Sequence, residues 1–306
     1  SFIAAGTSYS TYGISMVPFY IYYSMFGFQR IGDLAWAAGD ARARGFLVGG
    51  TSGRTTLPGE GLQHADGQSH VLGLSLPNLK GYDPSFAYEV AVIIREGFRR
   101  MFVEKEDLLY YITVMNETYP MPPMPKNAEE GILKGLYRFK EAEKKDPPVH
   151  LLGSGAILNE ALRAQEMLRN DYGVDADVYS ATSYKELYHD CTGTDRYNHL
   201  NAGNDERRSY VEEIFGTDGQ AVFVCATDYL KALPLSVAKW LPGDVTVLGT
   251  DGYGRSDNRK ALRDYFEVDA GHIAFAALAL LYKHRKIKKD VLDKARKDLE
   301  IDPGKF

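Results

Sequence analysis

The chain has 306 residues, 44% of them hydrophobic and 25% charged, enough for one large globular domain or two ordinary ones. Thirty-six basic against 41 acidic side chains leave a net charge of −5, which argues against nucleic acid or an anionic membrane as the main partner, because both reward a basic surface. Two cysteines, Cys191 and Cys225, exclude a disulfide framework and a four-cysteine zinc site, and they suit a reducing cytoplasm; no apolar run approaches the roughly 20 residues that span a bilayer.

Ser1–Thr7 has no basic n-region and reads as helix interior without a start signal. Val17–Tyr23 is an aromatic-rich buried-strand candidate. Gln29–Arg44 reads as a helix with Ile31, Leu34, Ala35 and Ala38 on one face, and Phe46–Gly49 as a short strand entering a long polar loop. The period of Phe86, Val90, Ile93, Ile94 and Phe98 predicts a helix over Ser85–Phe102, entered through Asp83-Pro84-Ser85. Leu108–Val114 follows as a strand. The prolines of Tyr119–Pro125 and the pair Pro147-Pro148 bracket a charged, helix-like stretch from Ala128 to Lys145 and mark a boundary. Beyond it, strands are expected at Val149–Gly153, Asp177–Tyr179, Ala221–Ala226 and Val245–Gly249. Helices are expected at Ile157–Asp171, Tyr229–Trp240, Asn258–Phe266 and His272–Lys283, with a basic, solvated helix from His284 to Lys297. Alternating strands and helices predict mainly parallel sheets in two α/β domains.

The chemistry-bearing stretch is Met16–His70. Tyr23 and Phe26 are three apart where a strand gives way to the next element, so a turn can bring both rings to one side; they are either core aromatics or a stacking surface for a flat heterocycle. His64 lies among Gly59, Gly61 and Gly67 in the loop that begins at Gly49. These glycines supply backbone freedom rather than packing, and an imidazole there suits proton chemistry near neutral pH. His70 either meets substrate or orders the loop. Gly153-Ser154-Gly155 offers a phosphate-cradling turn or, more simply, a tight strand-to-helix turn, since the dinucleotide fingerprint is incomplete. Asp251–Asp257 sits at the carboxyl end of its strand, where ligands and interfaces gather, or is a capped turn. Carboxylates, histidines and cysteines show no metal-ligand spacing, and no nucleophile elbow is present.

Thr7–Thr11, Pro18–Arg30, Gly50–Thr56, Gly59–His64, Leu152–Gly155 and Leu248–Asp257, in that order, resemble the homodimeric-type pyruvate dehydrogenase family, the thiamine-diphosphate-dependent decarboxylating components of bacterial pyruvate dehydrogenase complexes. The resemblance implies a transketolase-like α/β fold. It would comprise most of a pyrimidine-binding middle domain (1–125), a linker (126–148) and a C-terminal domain (149–306). It also implies that Tyr23 and Phe26 pack at the aminopyrimidine ring and that His64 faces substrate. The family's cofactor-activating glutamate and its domain for diphosphate and magnesium find no counterpart, so the chain reads as a C-terminal fragment that is inactive alone. The implied parent is a cytoplasmic homodimer acting on pyruvate and on the lipoyl domain of dihydrolipoyl acetyltransferase. The rival readings are a non-catalytic dimerisation or assembly module, or a related enzyme for another 2-oxo acid.

Overall fold

In the computed structural model of the chain, residues 1–217 and 219–305 are described. The strand–helix alternation builds two sheets. The first contains β1 (Phe19–Tyr23), β2 (Gly45–Gly50), β3 (Leu79–Tyr82) and β4 (Leu109–Thr113), ordered β1-β2-β4-β3, with every pairing parallel. The second contains β5 (Tyr137–Lys140), β6 (Val149–Gly153), β7 (Ala176–Ser180), β8 (Val222–Ala226) and β9 (Val245–Leu248), ordered β5-β7-β6-β8-β9; β5 alone runs antiparallel.

Strand β4 is an interior strand of the first sheet. All five of its residues are buried, as expected when helices cover both faces of a parallel sheet. Side chains alternate across it, so Tyr110 packs with Phe46, Ile93 and Met101 on one face, while Tyr111 packs with Phe28, Leu47 and Leu79 on the other. In the second sheet, Val149 and Leu151 of β6 meet Ala161, Ala164 and Leu168 of the Leu158–Tyr172 helix and Ala274 and Ala277 of the Ala270–Lys283 helix. Small alanines let these two helices lie close to the sheet.

The domains meet along a polar seam. Ser183 Oγ donates to Gly81 O at 2.5 Å, and Asp83 N donates to Thr182 O at 2.8 Å. Lys185 Nζ donates to the carbonyls of Gly73 and Leu76, both at 2.6 Å. The Lys185–Gly73 bond ties the short Ser69–Gly73 helix of the first domain to the Tyr184–Leu200 helix of the second, and the others join β3 and its flanks to the entry of that helix.

Several expectations change. The first strand is not buried: Ile21 is 72% exposed and Tyr23 50%, because β1 is an edge strand. The stretch 126–148 is not a bare linker and holds no long helix. It contains a Glu129–Lys134 helix ended by Gly135 in the left-handed region, and then β5, which joins the second sheet. The Ser85–Phe102 helix runs over Ala87–Phe98 and finishes in a widened π turn, Arg99–Val103. Tyr229–Trp240 forms only the short pieces Ala232–Leu235 and Ala238–Trp240.

Candidate active site

The carboxyl ends of β1 and β2, adjacent and parallel, deliver the two segments of the site to one edge of the first sheet. After Tyr23 the chain turns through Ser24–Phe26 and enters the Phe28–Asp40 helix at Gly27. A Cβ at Gly27 would lie 2.3 Å from the Tyr22 ring, so the tight approach requires glycine. From β2 the chain leaves at Gly50 and returns through a short helical turn, Leu62–His64.

Three rings meet there. Tyr23 and Phe26 have centroids 6.0 Å apart, and His64 lies 5.2 Å from Tyr23 and 5.1 Å from Phe26, each pair edge-to-face. The Arg30 guanidinium stands 4.2 Å from the Phe26 centroid, a cation–π contact absent from the sequence reading. Tyr23 is half exposed and Phe26 half-buried, so neither belongs to a core cluster. His64 Nδ1 is buried with no hydrogen-bond partner among the described residues. The cluster is thus a partly open aromatic wall carrying one imidazole nitrogen whose bonding capacity is unspent.

The loop between β2 and His64 is fastened by the second domain. Asp228 accepts from Thr55 N at 3.1 Å and from Thr55 Oγ1 at 3.0 Å. Gly53 has φ +87°, and a Cβ there would lie 2.3 Å from Asp228 Oδ2, so the close approach of backbone and carboxylate depends on glycine. Burial pushes the Asp228 carboxyl up to about 7. Beside it, Arg263 bonds Thr55 Oγ1 at 3.3 Å and Glu160 at 2.9 Å and pairs with Glu117. Arg259 Nε donates to Thr56 O at 2.8 Å. None of these anchors was singled out from sequence, since each couples segments far apart along the chain.

His70 lies elsewhere. It is 6% exposed, with Nε2 2.9 Å from Thr113 Oγ1, and its ring packs at 5.1 Å from Tyr111 and 4.9 Å from Tyr229. Thr113 Oγ1 in turn bonds Asp83 Oδ1 at 2.7 Å. Burial, reinforced by Lys185, lowers the His70 imidazole to about 3. This geometry favours ordering of the loop's return over contact with substrate. At Gly153-Ser154-Gly155, a Cβ on Gly155 (φ +51°) would lie 2.7 Å from Asp83 Oδ2. The chain's own carboxylate therefore fills the turn, which is a tight domain contact and not an open phosphate cradle. Both cysteines are buried, and burial pushes their thiols up, Cys191 to about 11 and Cys225 to about 12. Asp264, Asp269 and His272 lie close enough to share a cation. All three are already engaged: Asp269 caps the Ala270–Lys283 helix at His272 N (2.8 Å) and meets His272 Nδ1 at 2.9 Å, and Asp264 pairs with Lys305 at 3.0 Å.

Residues 1–122 match the pyruvate dehydrogenase E1 component middle domain, and residues 135–269 match the transketolase-like C-terminal domain. The pyruvate dehydrogenase E1 component of Pseudomonas aeruginosa is 55% identical over 308 residues, covering all of this chain and 35% of that protein. The chain belongs to the pyruvate dehydrogenase E1 family. The E1 component of Escherichia coli K12 is 53% identical, again across the whole chain and 34% of the relative. The chain thus spans about a third of the length of the curated relatives it matches. The fold is transketolase-like. Transketolase from Leishmania mexicana superposes with a TM-score of 0.66 at 15% identity, covering 88% of this chain and 34% of that one. A split-gene transketolase, described as an inactive β4 tetramer, superposes at 0.65 and 18% identity, covering 92% and 81%. Among the described residues, no helix is long and apolar enough to cross a membrane.

Proposed function

We propose that this chain supplies the aminopyrimidine-facing wall of an E1 component that decarboxylates pyruvate on thiamine diphosphate and reductively acetylates the lipoyl domain of dihydrolipoyl acetyltransferase, working as a cytoplasmic homodimer. The observation that carries the reading is the open edge-to-face cluster of Tyr23, Phe26 and His64. Its residues fit the cofactor: two aromatic surfaces accept a flat heterocycle, and an unsatisfied His64 Nδ1 accompanies them. Thiamine diphosphate, anchored with magnesium mainly by a domain outside this chain, supplies the electron sink for loss of carbon dioxide. Tyr23 and Phe26 orient its ring and exclude water from that side. Arg30 holds Phe26 in place through the cation–π contact. His64 holds or moves a proton beside the reacting carbons, and its ring plane is fixed by the two aromatics that flank it.

The test uses both lengths of protein. The purified 306-residue chain should release no carbon dioxide from pyruvate, as expected without the diphosphate anchor; the inactive split-gene transketolase of similar extent supports that expectation. In the full-length enzyme, His64→Ala should lower turnover about 10²–10⁴-fold with little change in melting temperature. Near-normal turnover would return His64 to an ordinary loop role. The same β4 tetramer favours a second reading, in which this part alone serves assembly.

A further inference from the structure

The Asp251–Asp257 loop after β9 is not used by the chemistry above, yet it presses directly on the His64 turn. Gly254 is buried, and a Cβ there would lie 2.2 Å from Ala65 Cβ and 3.3 Å from Leu62 Cα. These two residues bracket the Leu62–His64 turn. Gly254 thus stands where any side chain would push the turn away from its seat. Two hydrogen bonds to backbone carbonyls flank this contact: Gly59 N donates to Asp257 O at 3.2 Å, and the Arg54 guanidinium donates through Nη1 to Thr250 O.

The loop is rigid on its other side. Asp251 Oδ1 accepts from Lys231 N at 3.0 Å, and Thr250 N donates to Tyr229 O at 2.8 Å. Arg255 bonds Tyr265 Oη at 3.0 Å. A glycine-rich segment such as Gly59–Gly67 has no stiffness of its own, so the ring geometry around His64 must be imposed by what the turn rests on.

We propose that the Asp251–Asp257 loop is the positioning platform for His64, with Gly254 as the residue that sets how close the histidine turn lies to the second domain. Gly254 is a positioning residue and touches no reacting atom. The proposal deepens the function above, because its catalytic consequence rests on His64 facing substrate. Its structural content does not depend on that reading.

The experiment is made on the 306-residue chain. The His64 imidazole signal is assigned by its loss in His64→Gln, and its ring-current shift reports the Tyr23 and Phe26 neighbours. Gly254→Ala should move that signal toward the free-imidazole position and speed amide exchange across 59–67 about tenfold or more. Gly97→Ala, which clashes with Phe46 in the first domain's core, is the destabilised control and should change both readouts far less than Gly254→Ala does. Because Gly254→Ala alone could unfold the chain, Ala65→Gly/Gly254→Ala is made alongside. Removing the Ala65 methyl should return the His64 signal most of the way. An unchanged His64 signal in Gly254→Ala overturns the platform. So does a shift equal to that of the Gly97 control, or a double variant no closer to wild type. In the full-length enzyme, Gly254→Ala should lower kcat at least about tenfold, a part of the general acid–base effect, with rescue by Ala65→Gly. A moved signal with normal turnover keeps the platform and removes His64 from the reaction.

Discussion

His70 offers a decisive measurement, because its environment predicts the opposite of what a substrate-facing histidine would do. Its imidazole is buried between Tyr111 and Tyr229 and is lowered to about 3, whereas an unfolded histidine titrates near 6.5. The unfolded chain therefore binds a proton that the folded chain refuses across the window from pH 6.5 down to about 3. In that window stability falls as pH falls, and the contribution is fully present only above pH 6.5. Between pH 6.5 and 5 the gap spans 1.5 pH units, which at 1.36 kcal/mol per unit is about 2 kcal/mol. His70→Gln does not titrate and escapes that loss, whatever it costs in packing or in the bond to Thr113.

The assay is paired denaturant unfolding of wild type and His70→Gln at pH 8 and pH 5, with a proton-NMR titration of the His70 ring. The stability difference between the two proteins should shift toward the variant by about 2 kcal/mol on going to pH 5, and the ring signal should stay in its neutral position above pH 5. Subtracting the variant is essential, because buried carboxyls such as Asp83, pushed up to about 6 by burial, contribute with the opposite sign over the same range. A His70 signal titrating near 6.5, or a difference independent of pH, would refute the buried, loop-ordering role.

Asp228→Asn tests the opposite sign. The folded carboxyl lies near 7 against an unfolded value near 3.8, so its contribution to stability is lost as pH rises through 7. Relative to wild type, the variant should gain about 3 kcal/mol between pH 5 and pH 8, from roughly two units at 1.36 kcal/mol each, read as paired unfolding midpoints. Phe26→Ala should cost less than about 2 kcal/mol of stability, because the ring is only half-buried, while Phe46→Ala in the core should cost about 3–5 kcal/mol. In the full-length enzyme, Phe26→Ala should instead raise the thiamine diphosphate requirement; a large melting shift with unchanged cofactor affinity would make Phe26 a packing residue. Lys185→Met removes the ammonium donor shared by the carbonyls of Gly73 and Leu76 and leaves each with only a longer backbone bond, from Leu76 N at 3.3 Å and Leu79 N at 3.4 Å; it should destabilise the chain by about 1.5–3 kcal/mol, the worth of a hydrogen bond to a charged group, as measured by thermal melts.

What could be read from the sequence follows from how local each signal is. Alternating strands and helices, and the long amphipathic helices, depend on near neighbours and were legible. The burial of β1 was not: Phe-Tyr-Ile-Tyr-Tyr is the same apolar run whether it lies inside a sheet or at its edge. Tyr229–Trp240 was read as one helix, but Pro234 has no N–H to bond back to residue 230, so the first piece begins only at Ala232, and the segment forms two short pieces. The Tyr184–Leu200 helix went unread although its start was signalled by Ser183 and Glu186; Ser183 Oγ accepts from Glu186 N at 3.0 Å. Its mixed polar surface hid the period. At the site, Tyr23, Phe26 and His64 were named together through their motifs, and the structure brings their rings into contact. Asp228, Arg259 and Gly254 were not named as partners of the histidine loop, because a tertiary contact leaves no mark in either segment's own spacing.

That last group explains why the site spans two domains. Ordering backbone costs about 1–2 kcal/mol per residue, and more for glycine, so a loop holding Gly53, Gly59, Gly61 and Gly67 would not keep an imidazole fixed without outside partners. Ser52 N is held by Val114 O of the first domain at 3.1 Å, but four further partners come from the second domain: the Asp228 carboxylate at Thr55, the Arg259 guanidinium at Thr56, the Asp257 carbonyl at Gly59 and the Leu230 amide at Gly67. Each bonds loop backbone, so changes to most loop side chains leave the attachment intact. The glycines serve the same end, since Gly53 admits the Asp228 carboxylate and Gly254 admits the His64 turn. The flexibility that marked this loop as functional in the sequence is therefore largely spent in the fold, exchanged for a close fit against a domain that contributes no residue to the ring cluster itself.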